Sequence, residues 1–388
     1  MKRGVVVGAL GTAQTLAWGS SYYLPAILAD PIADGLGLSR TVVFGVFSGS
    51  LLVSALLGPP VGRAIDAHGG RGVLALSNLV LAAGLVLLAL TQGVASLVAA
   101  WMVLGVGMPM GLYDPAFATL AGLYGRAARG PITGITLIAG FASTVGWPLS
   151  AALEAHFGWR GACLVWAALN LLIGLPLNRL LIPRAPPPVR ATEAETAGPA
   201  PRGAMLLLSF VFAATWFVTG AMAAHLPRLL EIAGASATAA ITAAALVGPA
   251  QVGARLVEFG ALKRVHPVIS ARLAAALHPI GAVVLMAIGP SAIMAFAVLH
   301  GAGNGLLTIA KGTLPLAIFG PVGYGLRNGI LAAPARAAQA ASPLIFGLLI
   351  DWLGVGALAI SAGMSIAALL ALMALRGRTS STAVPSQA

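Results

Sequence analysis

The chain has 388 residues, of which 59% are hydrophobic and only 8% are charged, and its formal net charge is +12. An ordinary soluble domain carries roughly 25% charged residues, so this composition excludes a soluble globular protein and predicts an integral membrane protein. The basic residues flank apolar segments rather than forming one continuous patch, which argues against a nucleic-acid partner.

Twelve apolar runs recur along the chain. Each is about 20 residues long, enough for a helix to cross about 30 Å of hydrocarbon. None alternates like a barrel strand, so we predict an all-α membrane protein with twelve transmembrane helices. These helices, called span 1 to span 12, are predicted to cover residues 5–27, 40–61, 73–91, 95–119, 131–153, 161–181, 205–227, 238–259, 268–289, 291–312, 329–350 and 355–375.

The spans form two sets of six, separated by a segment rich in proline, alanine and charge. The predicted units are an N-terminal six-helix bundle, a cytoplasmic linker, a C-terminal six-helix bundle and a disordered tail, over residues 1–181, 182–204, 205–376 and 377–388.

Lysine and arginine predict the orientation. Most of those outside the spans fall in loops on the linker's side, whereas the opposite loops hold only Arg40, Arg160 and Arg228. By the positive-inside rule, both termini and the linker are cytoplasmic, in a multi-pass protein of the cell inner membrane.

The two halves of the sequence resemble each other at two places. ALLGPPVGRAID, from Ala55, aligns with ALVGPAQVGARLVE, from Ala245, after the second span of each half. GMPMG at Gly107 matches GAGNG at Gly301 in the fourth span of each half. Such duplication is typical of transporters built from repeated bundles, which bind substrate near the membrane midplane between the halves.

The loop between spans 2 and 3, GPPVGRAIDAHGGR, combines spaced glycines with an acid and a downstream arginine. It resembles the signature of the major facilitator superfamily, although Ala67 stands where that family usually has a basic residue. The glycines permit close helix packing, and the acid can cap a helix end or pair with an arginine. The resemblance implies the major facilitator fold of two pseudo-symmetric bundles, a pathway completed by one chain acting as a monomer, and a gating loop. The gating residues are Gly58, Gly62, Asp66, Gly69 and Arg71, with Glu258 in the repeated stretch.

Three further stretches, AWGSSYYLPAI, ITGITLIAGFASTVGWPL and FGWRGACLVWAAL, resemble the monocarboxylate porters and oxalate/formate antiporters. In that group an arginine in the eighth helix contacts the substrate carboxylate, which implies this role for Arg255. The antiporters also carry a cation in the eleventh helix, where this chain has Arg336. Gln251 stands where the monocarboxylate porters have an aspartate, so their proton-coupling chemistry is not implied.

Three basic residues, Arg255, Lys311 and Arg336, fall in C-terminal spans. A basic residue at a helix centre costs roughly 2.5–3.5 kcal/mol unless it faces a cavity, a partner or the interface. We expect Arg336 to bind a substrate carboxylate through paired hydrogen bonds; the alternative is an ion pair within its own half. Arg255 either contacts substrate or forms a latch with Glu258. Lys311, near the predicted end of span 10, either joins the substrate site or snorkels to the interface.

Span 4 of the N-terminal half contains a buried acid, Asp114, in GLYDPAF. This residue is the candidate for proton coupling; alternatively, it forms a plain ion pair with Arg126 or another base of the neighbouring loop.

Polar and aromatic side chains on two spans complete the candidate cavity lining. His300 and Asn304 are four residues apart in span 10 and share a helix face. In span 1, Gln14, Trp18 and Tyr22 form one stripe.

These features predict a secondary active transporter that moves a small organic anion, a mono- or dicarboxylate, by alternating access, with proton coupling or exchange. The alternative is an exporter of amphipathic drugs or metabolites. The sequence has no P-loop, catalytic triad or metal cluster, so we expect no enzyme activity, cofactor or bound metal. The single cysteine, Cys163, excludes an intrachain disulfide. The expected partners are a small anionic substrate and the lipid bilayer.

Overall fold

The computed structural model describes residues 2–184 and 203–375, apart from the side chain of Ser143. Residues 185–202 of the predicted linker, and residues 376–388 with the predicted tail, lie outside this part. Within it, eight stretches of helix are long and apolar enough to cross a membrane. Two of them, Val94–Leu180 and Tyr324–Ala374, run through more than one predicted span. Span 1 consists of two helices of only 17 and 12 residues.

The N-terminal spans contain several breaks. Span 1 ends at Leu36 rather than at residue 27, and only Gly158, with a φ of 66°, separates spans 5 and 6. Span 6 includes a π-helical turn at Asn170–Gly174. The helices are Arg3–Gly19, Pro25–Leu36, Arg40–His68, Gly70–Ala89, Val94–Gly111, Tyr113–Tyr124, Arg129–Ala139, Ala142–Leu169 and Leu175–Leu180.

The C-terminal spans are more regular. The helices are Ala204–Ile232 in span 7, Ala237–Ala245 and Val247–Gly260 in span 8, Pro267–Ile288 in span 9, Ile293–Phe319 in span 10, Tyr324–Leu353 in span 11 and Ala357–Ala374 in span 12.

Span 10 is longer than its hydrophobic pattern predicts. It continues to Phe319 rather than ending at residue 312, although Pro315 lies within it. Lys311 is therefore well inside the helix and only 4% exposed. Of the two alternatives for Lys311, snorkelling of its ammonium to the interface is therefore wrong.

The segment from Gly58 to Arg71, predicted as a loop, is helical through His68. Gly69 alone interrupts it, with a φ of 78°, a left-handed conformation that glycine adopts without a steric penalty. The next helix starts at Gly70, so spans 2 and 3 are joined by a single residue.

We call the end of the molecule at which residues 184 and 203 lie the linker end. There, span 2 packs backbone to backbone against span 11, with Gly58 facing Gly329 and Gly62 facing Gly325. A Cβ at Gly62, Gly325 or Gly329 would collide with the opposite main chain, and one at Gly58 would make a tight contact with the Gly329 carbonyl. The close approach therefore requires glycine.

Asp66 joins the two bundles at this contact. Its carboxylate accepts hydrogen bonds from the N–H groups of Gly325 at 2.7 Å and Leu326 at 2.8 Å. These are free N–H groups at the start of span 11, where the helix dipole favours a negative charge. Helix capping was one of the two roles predicted for Asp66. The helix that it caps belongs to the other half of the molecule.

Glu258, which aligns with Asp66 in the sequence repeat, makes the corresponding contact between spans 8 and 5. Its Oε1 accepts from Arg129 Nη2 at 2.9 Å, and its Oε2 accepts from Ser270 at 2.7 Å. Arg129 also donates to the carbonyls of Leu262 and Val265. The linker end is thus closed by two pseudo-equivalent acids, each contacting the first turn of a helix in the other bundle.

We expect Gly325→Val to separate the bundles at the linker end, because its side chain would meet the Gly62 backbone and the Asp66 carboxylate. The measurement is the distance between spin labels on cysteines at the exposed positions Arg126 and Lys263, with the buried Cys163 replaced by alanine. We predict a longer distance than in the parent.

Gly72→Val is the matched control, because a Cβ at Gly72 meets no atom within 4 Å. An unchanged label distance in Gly325→Val would show that the glycine contact does not hold this end closed.

Candidate functional site

A cavity lies between the two bundles. Both bundles contribute to its wall, which combines charged, aromatic and apolar side chains. The lining residues are Trp18, Tyr22, Leu51, Ser54, Met108, Leu112, Tyr113, Asp114, Trp216, Lys311, Arg336 and Gln339.

A break in span 4 positions the acid of this cavity. The helix stops at Gly111, Leu112 adopts an extended conformation, and a second helix starts at Tyr113. Asp114 therefore lies in the first turn of a helix, where unpaired N–H groups and the helix dipole favour a carboxylate.

Two cations of the other bundle bind this carboxylate. Lys311 Nζ lies 3.0 Å from Oδ1 of Asp114, and Arg336 Nη2 lies 2.5 Å from Oδ2. Asn328 of span 11 donates to Oδ1 at 3.1 Å. We call Asp114, Lys311 and Arg336 the central triad; its members are only 8%, 4% and 7% exposed.

The central triad is not electrically balanced. Among the described residues that line the cavity, these three carry charge, and their sum is one positive charge. Buried charges are costly unless they are paired, and one carboxylate cannot fully compensate two cations. With Lys311 and Arg336 protonated and Asp114 ionised, the cavity presents one uncompensated positive charge to a ligand.

Aromatic side chains surround the triad. Lys311 Nζ lies 4.5 Å from the ring centroid of Trp216, within the range of a cation–π interaction. The Trp18 ring packs against those of Tyr22 and Tyr113, at centroid distances of 5.2 and 5.1 Å. The Tyr22 hydroxyl accepts a hydrogen bond from Gln339 at 2.5 Å, which is a further link between the bundles.

The structure brings five of the predicted site residues together in this cavity: Trp18, Tyr22, Asp114, Lys311 and Arg336. The ion-pair partners of Asp114 lie in the other half of the molecule, not at Arg126, and Arg336 likewise pairs across the halves rather than within its own.

Four predicted site residues, Gln14, His300, Asn304 and Arg255, lie elsewhere. Gln14 donates to the carbonyl of Gly111 at 2.6 Å, inside the N-terminal bundle. His300 and Asn304 line a second cavity, within the C-terminal bundle.

Arg255 lies at the contact between spans 5 and 8. It donates to the carbonyl of Thr136 at 3.3 Å and to the side chains of Gln251 at 3.3 Å and Thr308 at 3.5 Å. The predicted latch partner of Arg255, Glu258, binds Arg129 instead. Arg255 thus lies between the linker-end contacts and the central cavity. It belongs to the lining of neither the central cavity nor the second cavity.

Some cavity residues were missed by the sequence analysis. Gln339 lies three residues after Arg336 on the same helix face, so it could have been found by periodicity. Tyr113 is adjacent to Asp114 in the sequence, and adjacency alone does not place two side chains on one helix face. Trp216 and Ser54 lie in apolar runs with no such signal. Asn328 precedes the predicted start of span 11.

His266 lies between spans 8 and 9, close to Arg129. Burial, together with Arg129 and Arg272, holds the pKa of its imidazole below the usual range. A neutral ring suits its role, because its Nδ1 accepts a hydrogen bond from the N–H of Val268 at the start of span 9, at 3.2 Å.

A family model described as Major Facilitator Superfamily matches residues 10–289. The chain is 29% identical over 360 residues to a protein of Thermoproteus tenax described as "Uncharacterized 38 kDa protein in 23S RNA operon", and the match covers 90% of each chain.

Solved structures share the fold. The human organic anion transporter MFSD10 (TETRAN) gives a TM-score of 0.72 at 16% identity, covering 97% of this chain and 100% of that one. The E. coli fucose:proton symporter FucP gives 0.71 at 12% identity, again over 97% and 100%. These likenesses concern the fold alone.

We expect Asp114→Asn to destabilise the protein more than Lys311→Met. The first change leaves two buried cations without a carboxylate, whereas the second leaves the neutral pair of Asp114 and Arg336. Removing one partner of a buried ion pair costs about 3–5 kcal/mol. Thermal unfolding of the purified protein in detergent measures both losses. A loss in Lys311→Met that equals or exceeds that in Asp114→Asn would contradict the charge imbalance.

Proposed function

The chain belongs to the Major Facilitator Superfamily and is a membrane transporter rather than an enzyme, and on this basis we propose that it carries a small organic monoanion by alternating access. The observation that carries the proposal is the uncompensated positive charge of the central triad. A monoanion neutralises the cavity, whereas a cation would raise its charge and a neutral compound would leave it unchanged.

Asp114 supports a carboxylate as the recognised group. Its own carboxylate shows how Lys311 and Arg336 can hold such a group, with one oxygen near the ammonium and the other on the guanidinium. A substrate carboxylate that binds these donors has to compete with Asp114. The proton-carrying role suggested by the sequence for Asp114 is a separate proposal, since here the group serves as a counter-ion.

This competition supplies a link between binding and movement. Asp114 belongs to the N-terminal bundle and both cations to the C-terminal bundle, so the triad holds the bundles together at the centre. A substrate that displaces Asp114 loosens this attachment. It thereby changes the relative free energies of the two orientations of the bundles, as a ligand must if it is to shift a conformational equilibrium.

The aromatic wall supports a substrate with an apolar or aromatic body. Trp18, Tyr22, Tyr113 and Trp216 offer flat apolar faces beside the cations. The same wall would suit an exporter of amphipathic compounds, the second candidate function. The charge of the central triad favours anionic compounds in either case.

We further propose that the linker end faces the cytoplasm of the cell inner membrane. The support is the basic residues exposed at this end, among them Arg126, Lys263 and Arg264. The described conformation is then closed towards the cytoplasm, by the Asp66 and Glu258 contacts. A cysteine at Lys263 that reacts with a membrane-impermeant maleimide in intact cells would contradict this orientation.

A matched pair of ligands tests the proposed function. We expect phenylacetate to raise the thermal stability of the purified protein and phenylacetamide, its neutral isostere, to leave it unchanged. At a ligand concentration about 100 times Kd, the stabilisation is about 2.7 kcal/mol. Labelled phenylacetate is also expected to enter proteoliposomes faster than protein-free vesicles.

Two arginine variants provide the control. In Arg336→Gln, Asp114 keeps Lys311 as its partner, so we expect a folded protein without the phenylacetate shift. Arg272→Gln removes a C-terminal arginine that binds the Leu372 carbonyl, outside the cavity lining, and should keep the shift. Equal shifts with acid and amide, or a full shift in Arg336→Gln, would refute an anion site at the central triad.

A further inference from the structure

A layer of polar side chains divides the apolar core of the C-terminal bundle. On its linker side lies one apolar cluster, with Phe212, Ala271 and Leu314, and beyond it lies another, with Met222, Leu285 and Phe296. Spans 7, 9, 10 and 12 each contribute to the layer between them. Its members are Thr215, Thr219, His278, His300, Asn304, Ser361 and Ser365.

Two histidines form the centre of this layer. His278 and His300 are each 5% exposed, and their Nδ1 atoms are 3.0 Å apart. At its other nitrogen, His278 Nε2 lies 3.0 Å from the hydroxyl of Ser361. That hydroxyl in turn donates to the carbonyl of Leu358, one turn earlier in span 12.

The serine sets the direction of the chain of hydrogen bonds. Because the Ser361 hydroxyl donates to Leu358, its oxygen accepts from Nε2–H of His278. A neutral imidazole has one donor and one acceptor, so Nδ1 of His278 is the acceptor and Nδ1–H of His300 is the donor. In neutral His300, Nε2 is therefore left as an acceptor.

His300 lines the second cavity, inside the C-terminal bundle. Among the described residues, none donates a hydrogen bond to its Nε2, and none of those lining the cavity is Asp, Glu, Lys or Arg. The groups that span 7 presents are the hydroxyls of Thr215 and Thr219, and span 12 presents Ser365. Nε2 is thus a buried basic atom beside a polar, uncharged space.

The same helix face leads from this atom to the bundle interface. His300, Asn304 and Thr308 succeed one another at intervals of four residues, which places them in one row along span 10. Asn304 accepts a hydrogen bond from Thr219 at 3.1 Å, and the Thr308 hydroxyl meets Arg255. Arg255 reaches the Thr136 carbonyl of the N-terminal bundle. A charge placed on His300 therefore lies in a polar row that ends at an interbundle contact.

We propose that His300, backed by His278, Ser361 and the Leu358 carbonyl, is a proton-binding site that couples anion transport to proton movement. The proton adds to Nε2 of His300 and leaves from the same atom. His278 does not take it, because both of its ring nitrogens are engaged in the chain of hydrogen bonds. The coupling rests on the proposed transport of a monoanion; the proton site itself does not.

The test uses benzenesulfonate, a monoanion that stays ionised and so cannot carry a proton across the lipid itself. The proteoliposomes are placed in a medium one pH unit more acidic than their interior. Because uptake of one proton with each anion is electroneutral, the wild type should accumulate benzenesulfonate up to about tenfold. His300→Gln should lose this accumulation and keep the exchange of internal for external benzenesulfonate. His278→Gln should behave likewise, whereas His156→Gln, which changes an exposed histidine of the N-terminal bundle, should match the wild type.

Accumulation by His300→Gln at the wild-type level overturns the proposal. A wild type that exchanges benzenesulfonate without accumulating it overturns the coupling and leaves anion transport standing. If the wild type exchanges neither benzenesulfonate nor phenylacetate, the proposed function has failed. The proton site is then decided by ¹⁵N NMR of histidine-labelled protein in detergent. Paired changes of the His300 and His278 signals on acidification support it, and signals that stay fixed until the protein unfolds overturn it.

Discussion

The buried carboxylate of Asp114 and its two cations form the interaction on which the arrangement of the two bundles depends. The acid lies on a broken helix of the N-terminal bundle, and Lys311 and Arg336 lie on helices of the C-terminal bundle. A buried cation without a partner is costly, so the two cations favour the bundles being in contact at the centre. Because one carboxylate serves two cations, a positive charge is left over. The same three residues can therefore hold the closed bundles together and attract an anion. That anion competes with the Asp114 carboxylate for Lys311 and Arg336.

The contacts at the linker end have a different physical character. Span 2 and span 11 approach through facing glycines, and Asp66 is bound by two backbone N–H groups. On the pseudo-equivalent side, Glu258 is bound by the side chain of Arg129. These groups lie nearer the helix ends than the central triad, so their bonds can be exchanged for bonds to water when the bundles separate. The central charges line the cavity between the bundles, where a bound ligand can contact them directly.

Much of the fold could be predicted from the sequence, because a membrane span needs about 20 apolar residues and its bounds follow from that length. The chemistry of the loop between spans 2 and 3 likewise indicated that Asp66 caps a helix or pairs with an arginine. The contacts of individual charges could not be predicted. Helical periodicity shows which face Asp114 or Arg336 occupies, but not which of the eleven other spans that face meets. Lys311 was placed too near the membrane surface because its helix continues past the point where hydropathy falls. His300 was assigned to the central cavity because its partner, His278, is on another span and leaves no sequence signal.

The most direct measurement of the central claim is a structure determined with phenylacetate bound. We expect the ligand carboxylate within hydrogen-bonding distance of Arg336 and Lys311, with the Asp114 carboxylate displaced from at least one of them and the aromatic ring against Trp18 or Trp216. A bound ligand whose carboxylate lies away from both cations, with Asp114 still contacting Lys311 and Arg336 as it does without ligand, would contradict competition at the central triad.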